Sequence, residues 1–346
     1  MDKKLLQGNT RIKLPVIAPV VTVLLLAFVP KLMTGYLLHV ATLILMYATM
    51  ALAWNWLGGF AGQLSLAHAV FFGLGAYTNG MLQKFFDINP WVGTLIAMVG
   101  VGLLSILIGL PIFRLSGAYF SIATITIAEM CKIIFVNWEA TGKAVGLYLP
   151  IRESSLLHFQ FSEKEPYYYI ILVMFIIAIA ISYWLKNSRN GYYFRAIRED
   201  ADAAKTLGIN ILRTKLLAMV LSSMVCAMVG SFYVNMQLYI DPDNVFRFMT
   251  SVQIALIAVL GGMGSVWGPF IGSIIILTLS ESSRAFFGGM GAGLDFVIYG
   301  LLIIIFAVWQ PGGILGAIEA MRKKKKRLSN LQERDADGAS VKKEAR

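Results

Sequence analysis

Charged side chains are scarce in this chain of 346 residues: they make up 14% of it, whereas 58% of the residues are hydrophobic. A soluble globular domain carries roughly 25% charged and 45–50% apolar residues. The shortage excludes a soluble domain of useful size. Apolar stretches of about 20 residues recur along most of the chain, and each is long enough to cross a bilayer as a helix. Most of the chain is therefore expected to lie in lipid.

Cysteine and histidine are also rare, with two and three residues respectively. Cys131 and Cys226 both fall inside predicted membrane spans, where a structural disulfide is not expected. The histidines, His39, His68 and His158, form neither a zinc-binding pair nor a base beside a nucleophile, and there is no Gly-x-Ser-x-Gly turn. These absences argue against an intramembrane enzyme.

Two nucleotide-binding signatures are missing as well. The sequence has no G-x-x-x-x-G-K-[ST] phosphate loop and no dinucleotide fingerprint between a strand and a helix, so no cofactor of its own and no ATPase site is predicted. The formal net charge of +11 could suggest nucleic acid. The basic residues follow membrane topology instead, and no nucleic-acid partner is predicted.

The predicted fold is an all-α integral membrane protein, a polytopic helical bundle of about ten transmembrane helices. Some of these helices are expected to be broken or re-entrant, at Pro111 and in the glycine-rich stretches 58–62 and 261–268, wherever the backbone faces protein or water. The predicted spans are 14–30, 36–57, 63–83, 91–113, 117–136, 167–185, 215–235, 248–263, 268–285 and 294–310.

The basic residues also predict the sidedness. With a cytoplasmic N-terminus, the inside segments hold most of the 30 Lys and Arg residues, as the positive-inside rule requires. The first apolar run lacks a small-residue cleavage site, so it is expected to be retained. The predicted division is a cytoplasmic N-terminus (1–13), a transmembrane domain (14–310) and a cytoplasmic basic tail (311–346), whose basic part is expected near anionic lipid headgroups. Within the transmembrane domain, segment 137–166 is external and loop 186–214 is internal.

The internal loop contains the run Arg195-Ala-Ile-Arg-Glu-Asp-Ala-Asp-Ala-Ala-Lys-Thr-Leu-Gly208-Ile-Asn210, which is expected to be helical from about Arg195 to Leu207. Small side chains at Ala203 and Ala204 would let a short amphipathic helix enter a groove on a partner, and Gly208 in a left-handed conformation could end that helix. The alternative is an ordinary loop kept soluble by its charges. The pattern from Asp202 to Gly208 resembles the acidic-Ala-Ala-x-x-x-Gly loop of ABC importer permeases, with Asp in place of the usual Glu.

A second run reads Asn55-Trp-Leu-Gly-Gly-Phe-Ala-Gly-Gln-Leu-Ser-Leu-Ala-His68-Ala-Val-Phe-Phe-Gly-Leu-Gly-Ala-Tyr77. Its glycines are expected to break the second span, after which Gln63, Ser65 and His68 enter apolar surroundings at helical spacing. Unsatisfied polar groups are costly in hydrocarbon, so these side chains should face other helices or a solute path. For His68 alone, a hydrogen bond between helices is the alternative.

Further motifs follow in order along the chain: 114–129, 141–150, 191–210, 260–272 and 299–316. Together with 55–77 they resemble the branched-chain amino acid ABC permease family of the LivM type, over roughly residues 35–316. Two departures leave the substrate open, because Ala67 stands where the family usually has Gly, and Ala144-Val145 replaces a commonly glycine-rich external turn.

The resemblance implies a bacterial cytoplasmic (inner) membrane importer for branched-chain amino acids or a related small amino-acid-like solute, with both termini of this chain cytoplasmic. It implies two cytoplasmic ABC ATPase subunits that hydrolyse ATP, a second permease subunit expected to be a homologue, and an extracytoplasmic solute-binding protein. The residues expected to couple to the ATPase are Arg195, Arg198, Glu199, Asp202, Ala203, Ala204 and Gly208. Those expected along the solute path are Gln63, Ser65, His68, Tyr119 and Thr124.

Two alternatives stay open at the sequence level. Relatives in the same family carry urea, short amides or aromatic acids. An ion-coupled secondary transporter would need intramembrane carboxylates, for which Glu129 and Asp295 are candidates. Pairing within or between helices would relieve the cost of such charges, and the sequence places Lys132 three residues after Glu129 and Arg284 three residues after Glu281.

Overall fold

The computed structural model describes residues 14–33, 35–287, 300–301, 313–314 and 316, and this part of the chain is mostly helical. Its α-helices are α1 (Leu14–Leu32), α2 (Tyr36–Asn55), α3 (His68–Phe86), α4 (Pro90–Ile112), α5 (Ala118–Asn137), α6 (Glu165–Asn187), α7 (Arg189–Glu199), α8 (Ala201–Thr206), α9 (Ile211–Gln237), α10 (Pro242–Val245), α11 (Phe248–Gly262) and α12 (Gly268–Phe287). A π-helix (Trp56–Phe60) extends α2, and two short 3-10 helices (Glu139–Thr141 and Lys143–Val145) follow α5. Two short strands, β1 (Leu147–Tyr148) and β2 (Tyr239–Ile240), pair antiparallel.

Six helical stretches of the described residues are long and apolar enough to cross a membrane. They are Tyr36–Phe60, Pro90–Ile112, Ala118–Asn137, Glu165–Asn187, Ile211–Gln237 and Pro242–Gly262. The structure thus agrees with a helical membrane bundle, but the count of about ten is not confirmed. Shorter apolar helical stretches, Thr22–Leu32 and Gly268–Ser282, fall on two further predicted spans. Three predicted segments lie wholly or almost wholly outside the described residues: the N-terminal segment 1–13, the span 294–310 except for residues 300–301, and the tail.

The third predicted span, 63–83, is a helix that starts later than expected, at His68, and it is not among the six. Some of its polar side chains hydrogen-bond to neighbouring helices. The Gln83 amide donates to the side-chain oxygens of Asn79 (2.9 Å) and of Asn235 on α9 (3.0 Å), and Asn79 in turn donates to Thr94 on α4 (3.0 Å). A helix enclosed by protein does not need the uniform apolarity of one that faces lipid.

Close packing of α3 on α9 forms the centre of the bundle. A Cβ atom at Gly230 would lie only 1.9 Å from the carbonyl oxygen of Phe72, so only glycine permits this approach. The hydroxyl of Ser231 adds a hydrogen bond to the carbonyl oxygen of Gly75 on α3 (3.2 Å). Helices α4, α2 and α6 surround this pair, and α11 and α12 pack on α2.

Two of the three predicted interruptions do not break a span but lie where a helix ends. Pro111 lies in the last turn of α4 and simply precedes its end. The stretch 261–268 contains the turn between α11 and α12. Only the stretch 58–62 interrupts a span, because the π-helix there is followed by non-helical backbone up to α3.

Residues 138–164 form a folded cap over one end of the bundle, which we name the cap segment. Its β1 pairs with β2, the ring of Phe159 stacks on Trp91 with centroids 4.6 Å apart, and Arg152 forms an ion pair with Asp87. Residues 188–210, which we name the coupling segment, follow the opposite end of α6. The two segments therefore lie at opposite ends of the bundle.

Candidate functional site

The coupling segment consists of two helices instead of the single helix expected from about Arg195 to Leu207. The break falls at Asp200, whose backbone is extended (φ −155°, ψ 110°). Its carboxylate accepts hydrogen bonds from the backbone N–H groups of Asp202 (2.9 Å) and Ala203 (3.0 Å) and so caps α8. Gly208 follows α8 with a positive φ of 81°, as expected for the residue that ends this helix.

The adjacent alanines point in opposite directions. Ala204 is buried at 2% exposure against the protein's own interior, whereas Ala203 is exposed together with Asp202 and Gly208. The expectation that both alanines would lie on one outward face is therefore wrong. Leu207 was not predicted as a contact residue, yet 79% of its surface is exposed. The sequence feature that could have identified Leu207 is a large apolar side chain inside an otherwise polar loop.

Arg198 is exposed, yet its guanidinium group bonds to the backbone of the broken span. Its guanidinium Nη1 donates to the carbonyl oxygen of Gly59 in the π-helix at 2.7 Å. Its Cγ lies 3.1 Å from where a Cβ atom at Gly62 would be, and Nη1 lies 3.0 Å from that of Gly264, between α11 and α12. One side chain of the coupling segment thus bonds to the broken span and lies close to the turn between α11 and α12.

Arg195 and Glu199, the other charged residues predicted in α7, are placed differently. Arg195 donates to the carbonyl oxygens of Gly191 (3.2 Å) and Lys186 (3.4 Å) and stacks on Tyr192. It therefore holds α7 to the end of α6. Glu199 is exposed.

Asn55 joins the broken span to the same turn. Its side-chain oxygen accepts from the N–H of Gly264, and its amide donates to the carbonyl oxygen of Ser265, both at 2.8 Å. A Cβ atom at Gly59 would lie 1.8 Å from that side-chain oxygen, so a larger residue would displace Asn55. Sequence reasoning did not select Asn55 as a site residue.

Residues 61–67, which we name the break segment, are not helical, and side chains bond to several of their backbone groups. The indole N–H of Trp54 donates to the carbonyl oxygen of Ser65 (2.7 Å). From α5, the Ser121 hydroxyl donates to the carbonyl oxygen of Leu64 (2.8 Å), and the Thr124 hydroxyl accepts from the N–H of Leu66 (3.0 Å). The break segment therefore rests on α5, and Ser121 is a further residue that the sequence did not reveal.

The five residues predicted along the solute path do not share one surface. Ser65, His68 and Thr124 are buried at 1% exposure or less, Gln63 is partly buried, and Tyr119 is 72% exposed. Gln63 and Ser65 precede α3, so they are not at helical spacing with His68 as expected.

His68 sits inside the bundle, between the rings of Trp54 and Phe71. Its Nε2 lies 2.7 Å from the hydroxyl oxygen of Ser222 on α9, so the structure contains the hydrogen bond between helices that was its alternative role.

The predicted charge pairs are rearranged. Lys132 on α5 pairs with Asp243 on α10, with 2.8 Å between Nζ and Oδ1, and not with Glu129. Glu129 is exposed and has no hydrogen-bond or ion-pair partner among the described residues. Glu281 accepts from the hydroxyl of Tyr36 (3.1 Å), the side chain of Arg284 is not described, and Asp295 lies outside the described residues. A charge exposed to lipid at the centre of a helix costs about 2.5–3.5 kcal/mol or more.

A family model described as "Branched-chain amino acid transport system / permease component" matches residues 36–307. The chain is 27% identical over 300 residues to the high-affinity branched-chain amino acid transport system permease protein LivM of Escherichia coli (strain K12), covering 80% of this chain and 69% of that protein. It is 26% identical over 292 residues to LivH of Salmonella typhimurium, covering 79% and 92% respectively. It is 23% identical over 284 residues to a probable LivM of Methanocaldococcus jannaschii, covering 75% and 80%. No solved structure matches the chain significantly.

Proposed function

The chain belongs to the family of branched-chain amino acid transport system permease components. We propose that it is the membrane-spanning subunit of an ATP-driven importer, and that the solute is a branched-chain amino acid or a related small amino-acid-like molecule. The match across residues 36–307 carries this proposal. The helical bundle supports it, since the matched region contains the six helical stretches of the described residues that could cross a membrane. A multi-pass protein of a bacterial inner membrane follows, with the coupling segment and both termini on the cytoplasmic side.

The partners follow from what the chain lacks. Because it has no phosphate loop, ATP must be hydrolysed by separate subunits, which we take to be two cytoplasmic ABC ATPases. A second, homologous permease subunit and an extracytoplasmic solute-binding protein complete the proposed complex. The cap segment is the proposed docking surface for the binding protein, because it forms a folded surface at the end opposite the coupling segment.

The coupling segment is the proposed contact with the ATPase. Its residues Asp202, Ala203, Leu207 and Gly208 are exposed, and Leu207 adds a large apolar side chain to this surface. A movement of α7 would reach the membrane region through Arg198, because this side chain bonds to Gly59 at the start of the break. Arg198 would thus transmit the movement of α7 to the broken span, and Ala203 would contact the ATPase.

The solute path remains a proposal. Gln63 and Tyr119 are the accessible members of the predicted set, and Ser65, His68 and Thr124 support the wall behind them through buried contacts. If Gln63→Ala leaves transport and expression unchanged, the path passes elsewhere.

Reconstitution of the complete complex tests the function. The chain, its partner permease, the ATPases and the binding protein would be placed in liposomes containing ATP, and uptake would be measured for branched-chain amino acids, urea, short amides and aromatic acids. ATP-dependent uptake of branched-chain amino acids is expected. Uptake that persists without ATP but requires an ion gradient would establish the secondary transporter instead.

A further inference from the structure

The outward face of α5 differs from an ordinary lipid-facing surface. Tyr119, Ile122, Thr126, Glu129 and Ile133 follow one another at intervals of three or four residues, so they lie on one side of the helix, and all are exposed. Of the six helical stretches among the described residues that could cross a membrane, α5 is the least buried. Lipid, another subunit or an aqueous space must therefore cover this face, and its charged residue decides between them.

Glu129 lies near the middle of this helix. It follows Ala118 by eleven residues, which places it about 16 Å along a helix of about 28 Å. It has no hydrogen-bond or ion-pair partner in the part of the chain that the structure describes. Placing a carboxylate against lipid tails at this depth has a high free-energy cost, so charged groups there face water, protein or a solute.

A cation lies one turn further along the same helix. Lys132 is joined to Asp243 at 2.8 Å, and 30% of its side chain is exposed, against 65% for Asp243. Because residues three apart on a helix have Cβ atoms about 5–6 Å apart, Glu129 and Lys132 present opposite charges side by side. Lys132 can also exchange its exposed partner for another carboxylate.

We propose that Glu129 and Lys132 form a transient site for the charged head of an α-amino acid on its way through the permease. Glu129 accepts hydrogen bonds from the α-ammonium group, while Lys132 leaves Asp243 to bind the α-carboxylate. Asp243 then competes for Lys132 again, which keeps the site weak enough for release. The site rests on the proposed function and specifies its substrate class, because urea and short amides carry neither charge.

Uptake by the complete reconstituted complex tests the charge at Glu129. Glu129→Gln should lower leucine uptake about 10- to 100-fold, as expected for the loss of hydrogen bonds to a charged group. Glu129→Asp should recover part of the rate, and Met130→Leu on the same turn should leave it unchanged. Co-purification with the ATPase and the partner permease should be normal in all three variants. Normal leucine uptake by Glu129→Gln would overturn the site.

Water access to the α5 face provides a second measurement. With Cys131 and Cys226 replaced by Ser, Thr126→Cys should react with a hydrophilic thiol reagent in the assembled complex, and leucine-loaded binding protein with ATP should slow the reaction. A Thr126→Cys that never reacts in the assembled complex would show that this face packs against another subunit or lipid, which overturns the site. Failure of the unaltered complex to import any amino acid would instead overturn the proposed function.

Discussion

Two adjacent alanines of the coupling segment have opposite environments, and this contrast gives a test at the residue level. Ala203→Trp should place a bulky ring in the proposed contact with the ATPase and cost about 1–3 kcal/mol, or roughly 5- to 150-fold in association. Ala204→Trp should instead disturb the chain's own packing, because Ala204 is buried.

The measurement is co-purification of the ATPase together with the amount of permease in the membrane. Ala203→Trp should insert normally and bind the ATPase weakly, with Ala203→Ser as the control that keeps a small side chain. Ala204→Trp should lower the amount of folded permease. Full ATPase binding by Ala203→Trp would remove the coupling segment from the interface.

Arg198 and Arg195 form a second matched pair. Arg198→Ala removes the donor to Gly59 and should lower uptake per ATP hydrolysed while the ATPase stays bound, because the link to the broken span is lost. Arg198→Lys keeps a positive donor without the planar fork of the guanidinium group and should be intermediate. Arg195→Ala is the control, since Arg195 bonds only to the backbone of α6 and α7. Equal coupling ratios in both alanine variants would contradict a transmitting role for Arg198.

At the level of elements, the break segment depends on two hydroxyls of α5. Thr124→Ala leaves the N–H of Leu66 without its acceptor inside the bundle, which should cost about 1–3 kcal/mol of stability. Thr124→Ser keeps the acceptor and should cost less. Thermal unfolding of the purified protein in detergent would measure both, with the exposed Thr126→Ala as the control. A Thr124→Ala as stable as Thr126→Ala would show that the segment is held by other contacts.

Long apolar helices could be predicted from the sequence, whereas the contacts that join them could not. The predicted span 167–185 corresponds to α6, and 215–235 to α9, because length and apolarity decide such segments locally. The predicted start of α3 at residue 63 is wrong. The backbone of residues 63–67 bonds to side chains from Trp54 and α5, and these distant contacts cannot be predicted from local sequence.

The candidate site shows the same division. The φ of Gly208 followed from its place after a short helix, which is local information. The break at Asp200 was missed, although an Asp ahead of a helix is a recognised cap, because the charges of 195–207 were compatible with one continuous helix. The hydrogen bond from Arg198 to Gly59 could not be predicted from local sequence, because Gly59 lies 139 residues earlier.

For the whole molecule, the two ends of α6 should be on opposite sides of the membrane. In a background without Cys131 and Cys226, a cysteine at Ser162 in the cap segment should react with a membrane-impermeant thiol reagent in intact cells, whereas one at Asn187 should react only after lysis. Both positions are exposed, so burial does not protect either. The reverse pattern would invert the proposed sidedness of the importer.

The pairing of β1 with β2 has a consequence for biosynthesis. Leu147 pairs with Ile240, and Tyr148 pairs with Tyr239. The cap segment is therefore stabilised by residues that leave the ribosome much later. Until α9 has been inserted, the cap segment, which we propose is external, lacks this partner and has only its contacts with earlier helices, such as the stacking of Phe159 on Trp91. A nascent chain ending before Leu238 should therefore expose the region around Leu147 to external protease, and synthesis past Asp241 should protect it. Completion of the cap segment is thus a late event in membrane insertion.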